Sequence, residues 1–255
     1  MNRKIFWLSL VAVVISFAGG FLLANALNRR EIENLTAEAG RLKTAPPVEA
    51  EKDSPEAVLT DEEIRQKIAE ADKNSGDIES QKNLALALYR YSTMTRQTKW
   101  LPDIARLLGR AAEKNPKDYN SLNTLGDIYF DLAQNAADSN SAEAKNDINK
   151  NLELSRGFYQ KVLAMNPNDA LSQTNLGATF LFANPPENEK AMAEFQKSLQ
   201  TSPKNEKTLE FITRAFINTG KTGEAEKYFD KLREINPKNE ALPELETQLS
   251  QPDKK

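Results

Sequence analysis

The chain has 255 residues, a formal net charge of −3, no histidine and no cysteine. Their absence removes imidazole acid–base catalysis, thiol chemistry, disulfides and the usual zinc ligand sets, so the sequence points away from an enzyme and calls for no cofactor or metal. The charge is uneven. Residues 44–77 hold ten acids and four bases, which leaves the remainder at +3 with no basic stripe to follow a phosphate backbone. Nucleic acid is therefore not an expected partner.

The amino terminus opens with a basic tail, residues 1–4, followed by an uncharged apolar run from Ile5 to Leu27. As a helix, 23 residues reach about 35 Å, enough to cross a hydrocarbon core of about 30 Å. Trp7 stands near one end, where an interfacial anchor would. The competing reading is a cleaved signal peptide, since Ala24-Asn25-Ala26 offers a small-x-small site and Arg3-Lys4 a positive leader. The product would then be a secreted or periplasmic, self-associating structural protein. Two features favour an uncleaved anchor. The run exceeds the usual h-region, and a helical stripe of Ile32, Leu35, Ala39 and Leu42 continues beyond it. Arg29 and Arg30 nearly balance Arg3 and Lys4, but the short tail is awkward to translocate, so the rest of the chain is placed on the extracytoplasmic side.

Residues 28–43 form a stalk. The stripe spans fewer than two heptads, so a solvated extension of the anchor is favoured over a coiled coil giving weak homo-oligomers. Residues 44–60, acidic and with Ala45-Pro46-Pro47 and Ser54-Pro55, read as a disordered linker that leaves the following domain free to move.

From Asp61 onward the pattern is helical. Thr60-Asp61-Glu62-Glu63 is a capping box, opening a helix over 61–73 with Ile64, Ile68 and Ala71 on one face. A turn motif then recurs: Asn115-Pro116-Lys117-Asp118, Asn166-Pro167-Asn168-Asp169, Ser202-Pro203-Lys204-Asn205 and Asn236-Pro237-Lys238-Asn239. A degenerate copy, Asn74-Ser75-Gly76-Asp77, lies upstream. Pro ends one helix, and Asn or Asp favours the turn and caps the next. After the turns come apolar–small pairs: Leu84-Ala85 with Leu88, Leu125-Gly126 with Tyr129, and Leu176-Gly177 with Phe180. Before each Pro lies a second helix with its own face, carried by Tyr159 and Leu163, by Ala191, Phe195 and Leu199, and by Ala225, Phe229 and Leu232. Small residues let two helices cross closely while the aromatic fills the groove beside them.

Pro203 to Pro237 spans 34 residues. With the Leu-Gly pairs, the Gly220 turn, Ala225 and Phe229, this resembles the tetratricopeptide repeat (TPR) family over roughly 61–250. The resemblance implies an all-α fold, a TPR-type solenoid of helical hairpins that bury their apolar faces by stacking. It is preceded by the single transmembrane helix and the linker. Units fall at 78–118, 119–169, 170–205 and 206–239, with capping helices at 61–73 and 240–250 and a polar tail at 251–255. The first two units are 41 and 51 residues long. Their extra residues fall around Thr93–Trp100 and Gln134–Asn149, the latter lengthening both helices of its pair.

The resemblance also implies function. In this family the first helices of successive units line a concave groove that takes a protein or peptide partner. Carried over position by position, the groove holds Lys82, Leu86 and Tyr89; Asn123, Asp127 and Phe130; Thr174, Ala178 and Leu181; and Lys207 and Arg214. Asn123, Asp127 and Arg214 are polar and expendable for the core, which assigns them to ligand orientation. Some members clamp a terminal carboxylate with Lys and Asn. Lys82 matches one of that set, but Leu86 and Thr124 stand where asparagines are needed, so chaperone-tail binding is not expected. The implied function is a membrane-tethered scaffold, with assembly of cell-envelope or cytochrome c complexes as its setting by analogy.

Three motifs are set aside. Gly220-Lys221-Thr222 echoes a phosphate loop, but Ala215 replaces the first glycine and no strand precedes it. Asp138-Ser139-Asn140-Ser141 starts like a calcium loop, but Glu143 stands where glycine is required. Asp61-Glu62-Glu63 is what a first helical turn favours.

If residues 5–27 are an uncleaved anchor, the mature protein starts at Met1 and stays with membranes through a carbonate wash. A soluble product beginning at Leu27 would establish the signal-peptide reading instead.

Overall fold

The computed structural model of the chain describes residues 59–137 and 142–250. The expected membrane segment, the stalk, all of the linker except Leu59 and Thr60, the motif at Asp138 and the tail 251–255 lie outside the described residues. Among those residues, no helix is long and apolar enough to cross a membrane.

The regular structure described is α-helical. A leading helix, α1 (Asp61–Lys73), precedes four hairpins. These are α2 (Ile78–Thr95) with α3 (Leu101–Lys114), α4 (Tyr119–Ala137) with α5 (Ala142–Met165), α6 (Ala170–Leu181) with α7 (Asn188–Thr201), and α8 (Glu206–Asn218) with α9 (Thr222–Ile235). A last helix, α10 (Leu242–Ser250), closes the array.

The recurring turn has one construction. In each copy the fourth residue's amide donates to the first residue's carbonyl: Asp118 to Asn115, Asp169 to Asn166, Asn205 to Ser202 and Asn239 to Asn236. The degenerate upstream copy does the same, Asp77 to Asn74, so the turn does not require its proline. At the following helix, the side chains of Asp77, Asp118, Asp169 and Asn205 accept from backbone amides of the first turn, satisfying donors that the helix cannot. The capping box at Thr60 and Glu63 forms in both directions.

Each hairpin packs along its length, and each second helix also packs on the next first helix. First helices additionally touch one another (α2 with α4, α4 with α6, α6 with α8, α8 with α10). No pair of second helices makes comparable contact among the described residues. A stack whose first helices meet while its second helices are held apart curves with the first helices inside.

The crossings depend on missing side-chain volume. A Cβ on Gly126 would lie 2.6 Å from the Tyr159 ring, and one on Gly177 would lie 2.5 Å from Phe195 and 3.2 Å from the Ala191 carbonyl oxygen. Ala85 and Thr213 hold the equivalent register in the first and fourth pairs, both fully buried. Of the predicted second-helix faces, Tyr159, Ala191, Phe195, Ala225, Phe229 and Leu232 are buried. Val162, one residue before Leu163, takes the inner place on α5.

The added length in the second unit goes into helix. α4 has 19 residues and α5 has 24, and Ala133, Ile148 and Leu152 of their distal ends form a separate core with Ala183, which follows α6. At one end of the stack α1 buries Ile64 and Ile68, with Asp72 held by Arg106 and Arg110 of α3. At the other, Leu242 and Leu245 close a cluster with Leu209, Phe229 and Leu232. Gly220, at φ 67°, makes the α8–α9 turn, a left-handed position suited to glycine.

Phe195→Ala should lower stability by about 3–5 kcal/mol, a large part of the roughly 5–15 kcal/mol expected of a domain. Gly177→Ala sets about 1 kcal/mol of helix propensity against roughly 1–3 kcal/mol of overpacking, and should be net destabilising because a backbone carbonyl as well as the ring stands in the way. Denaturation followed by circular dichroism measures both. An unchanged midpoint for Phe195→Ala would mean that the ring does not sit at the crossing.

Candidate functional site

The inner face carries an open cavity of about 290 Å³ where α2, α4, α5, α6 and the start of α8 converge. Its lining is Tyr89, Asp127, Phe130, Asp131, Tyr159, Leu171, Asn175, Ala178 and Lys207. Tyr89 donates its hydroxyl to Asp131 Oδ2 at 2.9 Å, and Tyr159 donates to Asp127 Oδ1 at 2.7 Å. Asn175 Nδ2 reaches the same Oδ1 at 3.2 Å, and Asn123 Nδ2 reaches Oδ2 at 3.2 Å. Lys207 Nζ donates to Asn175 Oδ1 at 3.0 Å. Four helices, α4, α5, α6 and α8, thus share one chain of hydrogen bonds, and the Tyr89–Asp131 pair joins α2 to α4 beside it.

Beside it runs an aromatic ridge. Phe182 meets Phe130 and Phe211 edge-on, with ring centroids 5.6 and 5.8 Å apart, and Phe195 underlies Phe211. Phe182 remains 36% exposed and Leu171, at the cavity's rim, 49%. Large apolar groups left open on a concave face are what a ligand-binding groove presents.

Burial raises the pKa of both Asp127 and Asp131 above the ordinary aspartate value, because desolvation penalises the charged carboxylate. The tyrosine hydrogen bonds and the Lys207 charge oppose that shift without cancelling it. Burial likewise pushes the Tyr89 and Tyr159 hydroxyls up, so both stay protonated and serve as donors. Among the described residues, Lys207 forms no ion pair, and no group of acids is arranged to hold a metal.

Of the eleven residues placed in the groove from the sequence, Tyr89, Asp127, Phe130, Ala178 and Lys207 meet at this cavity, and Asn123 supports it from behind. Leu86 is half-buried on α2 and outside the lining. Lys82 is committed to Asp118 at 2.7 Å, and that carboxylate raises its pKa. Thr174 and Leu181 do not face the groove. Thr174 is fully buried in a hydroxyl cluster with Ser198 and Thr208, and Leu181 lies in the core beside Phe195. Arg214 is held by Glu210 and by both oxygens of Glu244, tying α8 to α10. Nor is Asp127 expendable: it is half-buried and accepts three side-chain hydrogen bonds.

Sequence reasoning missed Asp131, Tyr159, Leu171 and Asn175. Asp131 was open to it, one helical turn beyond Asp127. The other three follow from geometry. A cavity between two helices is lined by opposite flanks of the pair, so α6 offers 171, 175 and 178 where copying the register of α4 points to 174, 178 and 181. Tyr159 belongs to the core by its ring and to the groove by its hydroxyl.

No protein-family model and no curated protein matches the chain. Solved structures do share its fold. A thermophilic TPR protein from Thermus thermophilus superposes with a TM-score of 0.54 at 16% identity, covering 73% of this chain and 89% of that one. MamA 41-end from Desulfovibrio magneticus RS-1 gives 0.51 at 16% identity, over 70% and 86%. A further crystal structure of MamA gives 0.50 at 18% identity, over 69% and 88%. The fold is of the TPR type.

An acid whose pKa is raised by folding favours the folded state most below the unfolded pKa, and that contribution is lost as pH rises through the folded value. Asp131→Asn removes the charged form while its amide oxygen can still accept from Tyr89. Its melting temperature at pH 7 should equal or exceed that of the unsubstituted protein, and the difference should close as pH falls below the ordinary aspartate value of 3.8. A clearly lower value at pH 7 would show that the tyrosine–carboxylate bond outweighs the cost of burial.

Proposed function

We propose that the chain is a non-catalytic, membrane-tethered scaffold whose curved helical array takes an extended segment or helix of a partner protein along its inner face. In this reading residues 5–27 anchor the protein, the linker gives the array reach, and the repeats lie on the extracytoplasmic side. Assembly of cell-envelope or cytochrome c complexes is the setting we favour, by analogy of build. The observation that carries the binding role is the inner face itself. Successive first helices meet at one open cavity, and beside it Leu171 and Phe182 stay exposed although buried positions are close by.

The test is photo-crosslinking from single sites in the full chain in its native cells. A crosslinker at Leu171, on the inner face, should capture a discrete protein. One at Leu154, 40% exposed on α5 away from the cavity, should not. Capture from Leu154 alone would move the interaction to the outer face and overturn the groove reading.

A further inference from the structure

We propose that the cavity between α4 and α6 is a subsite for one basic side chain, lysine or arginine, of an extended polypeptide whose neighbouring apolar residue rests on the Phe182 ridge. The proposal rests on the groove reading above and adds the chemistry of what the groove selects.

Charge balance comes first. Two carboxylates, Asp127 and Asp131, stand in the wall against a single ammonium, Lys207, which is bonded to Asn175 and forms no ion pair among the described residues. The two acids are not equally satisfied. Asp127 takes donors on both oxygens, whereas among the described residues Asp131 takes the Tyr89 hydroxyl alone, on Oδ2. A carboxylate has about four acceptor sites and pairs well with a guanidinium or ammonium. Asp131 Oδ1 is therefore the open acceptor at the cavity.

Shape gives the second argument. The walls beside the carboxylates are apolar: the Tyr89 and Phe130 rings, Ala178, and Leu171 at the rim. An aliphatic stem ending in a cation matches that sequence of surfaces, apolar along its length and charged at its tip. At about 290 Å³ the cavity suits one side chain and is too small for a folded element. An anionic side chain would face two negative groups with one positive group in compensation.

The experiment uses the full chain and fluorescent nine-residue peptides of Gly and Ser, carrying a central Arg, Lys, Met or Glu followed by Leu, read by anisotropy. The Arg and Lys peptides should bind at least about tenfold more tightly than the Met peptide, about what one charge-assisted bond supplies, with the Glu peptide weakest. Asp131→Asn should abolish most of that preference and leave the Met peptide unchanged. Lys207→Met, a substitution at an exposed position, should instead tighten the Arg peptide several-fold. Equal binding of Arg and Met peptides would overturn the subsite while leaving the groove reading intact. Binding of none of the peptides would overturn both. A basic preference that survives Asp131→Asn, with folding verified by circular dichroism, would place the cation elsewhere and overturn the proposal.

Discussion

The stack depends on an aromatic ring occupying the space of an absent side chain. Tyr159 lies under Gly126 and Phe195 under Gly177, each ring at a distance that no Cβ would tolerate. Close approach of the two helices then sets the rest. It buries Ala191 and lets the Ser155 hydroxyl donate to the Gly126 carbonyl at 2.8 Å. The spacing between hairpins is then set by each second helix packing on the next first helix, with the first helices also touching one another. Those contacts form the inner face. Curvature, and with it the groove, is a consequence of how small the crossing residues are.

The second unit turns this packing device into a functional one. Phe195 is apolar throughout and ends in the core, where it meets Phe211. Tyr159 holds the same structural role but carries a hydroxyl, which emerges at the cavity and holds Asp127. The carboxylate in turn gathers Asn123 from its own helix and Asn175 from the next, and Asn175 gathers Lys207 from the one after. A buried polar network of this kind contributes to specificity only when its members are satisfied. Here Tyr159, Asp127, Asn123, Asn175 and Lys207 form a chain of bonds that crosses three hairpins, while Tyr89 and Asp131 make a separate pair. The registration of the second, third and fourth units is thereby coupled through polar contacts on the inside, in addition to apolar contacts in the core.

Local features were legible in the sequence, while those that depend on two helices at once were not. Asp77, Asp169 and Asn205 cap the helices that their turn motifs announce, because a turn and a cap are set by four or five neighbouring residues. The lengthening of α4 and α5 was also readable, since an insertion without Pro or Gly in a helical pattern has nowhere else to go. Positions on the inner face are less legible. Thr174 and Leu181 follow from copying one helix's register onto another, which ignores that each helix shows a different flank to each neighbour. Arg214 has one partner within reach of its own helix, Glu210, but Glu244, which binds it through both oxygens, lies 30 residues away in a terminal helix. An ion pair between distant helices leaves no local signal.

The same limit explains why Lys82 misleads. A free lysine at that position would make the groove attractive to anions. Its ammonium is instead 2.7 Å from Asp118, the residue that caps α4. Asp118 is fixed by the turn, as its counterparts are at every junction, so the lysine cannot leave without stripping a half-buried carboxylate of its partner. Lys207, which forms no ion pair among the described residues, stands against two carboxylates set into the cavity wall. Lys82 therefore carries no ligand preference here. The sign of the groove is set by Asp127 and Asp131, which the tyrosine hydroxyls keep in place at the cost of burying charge.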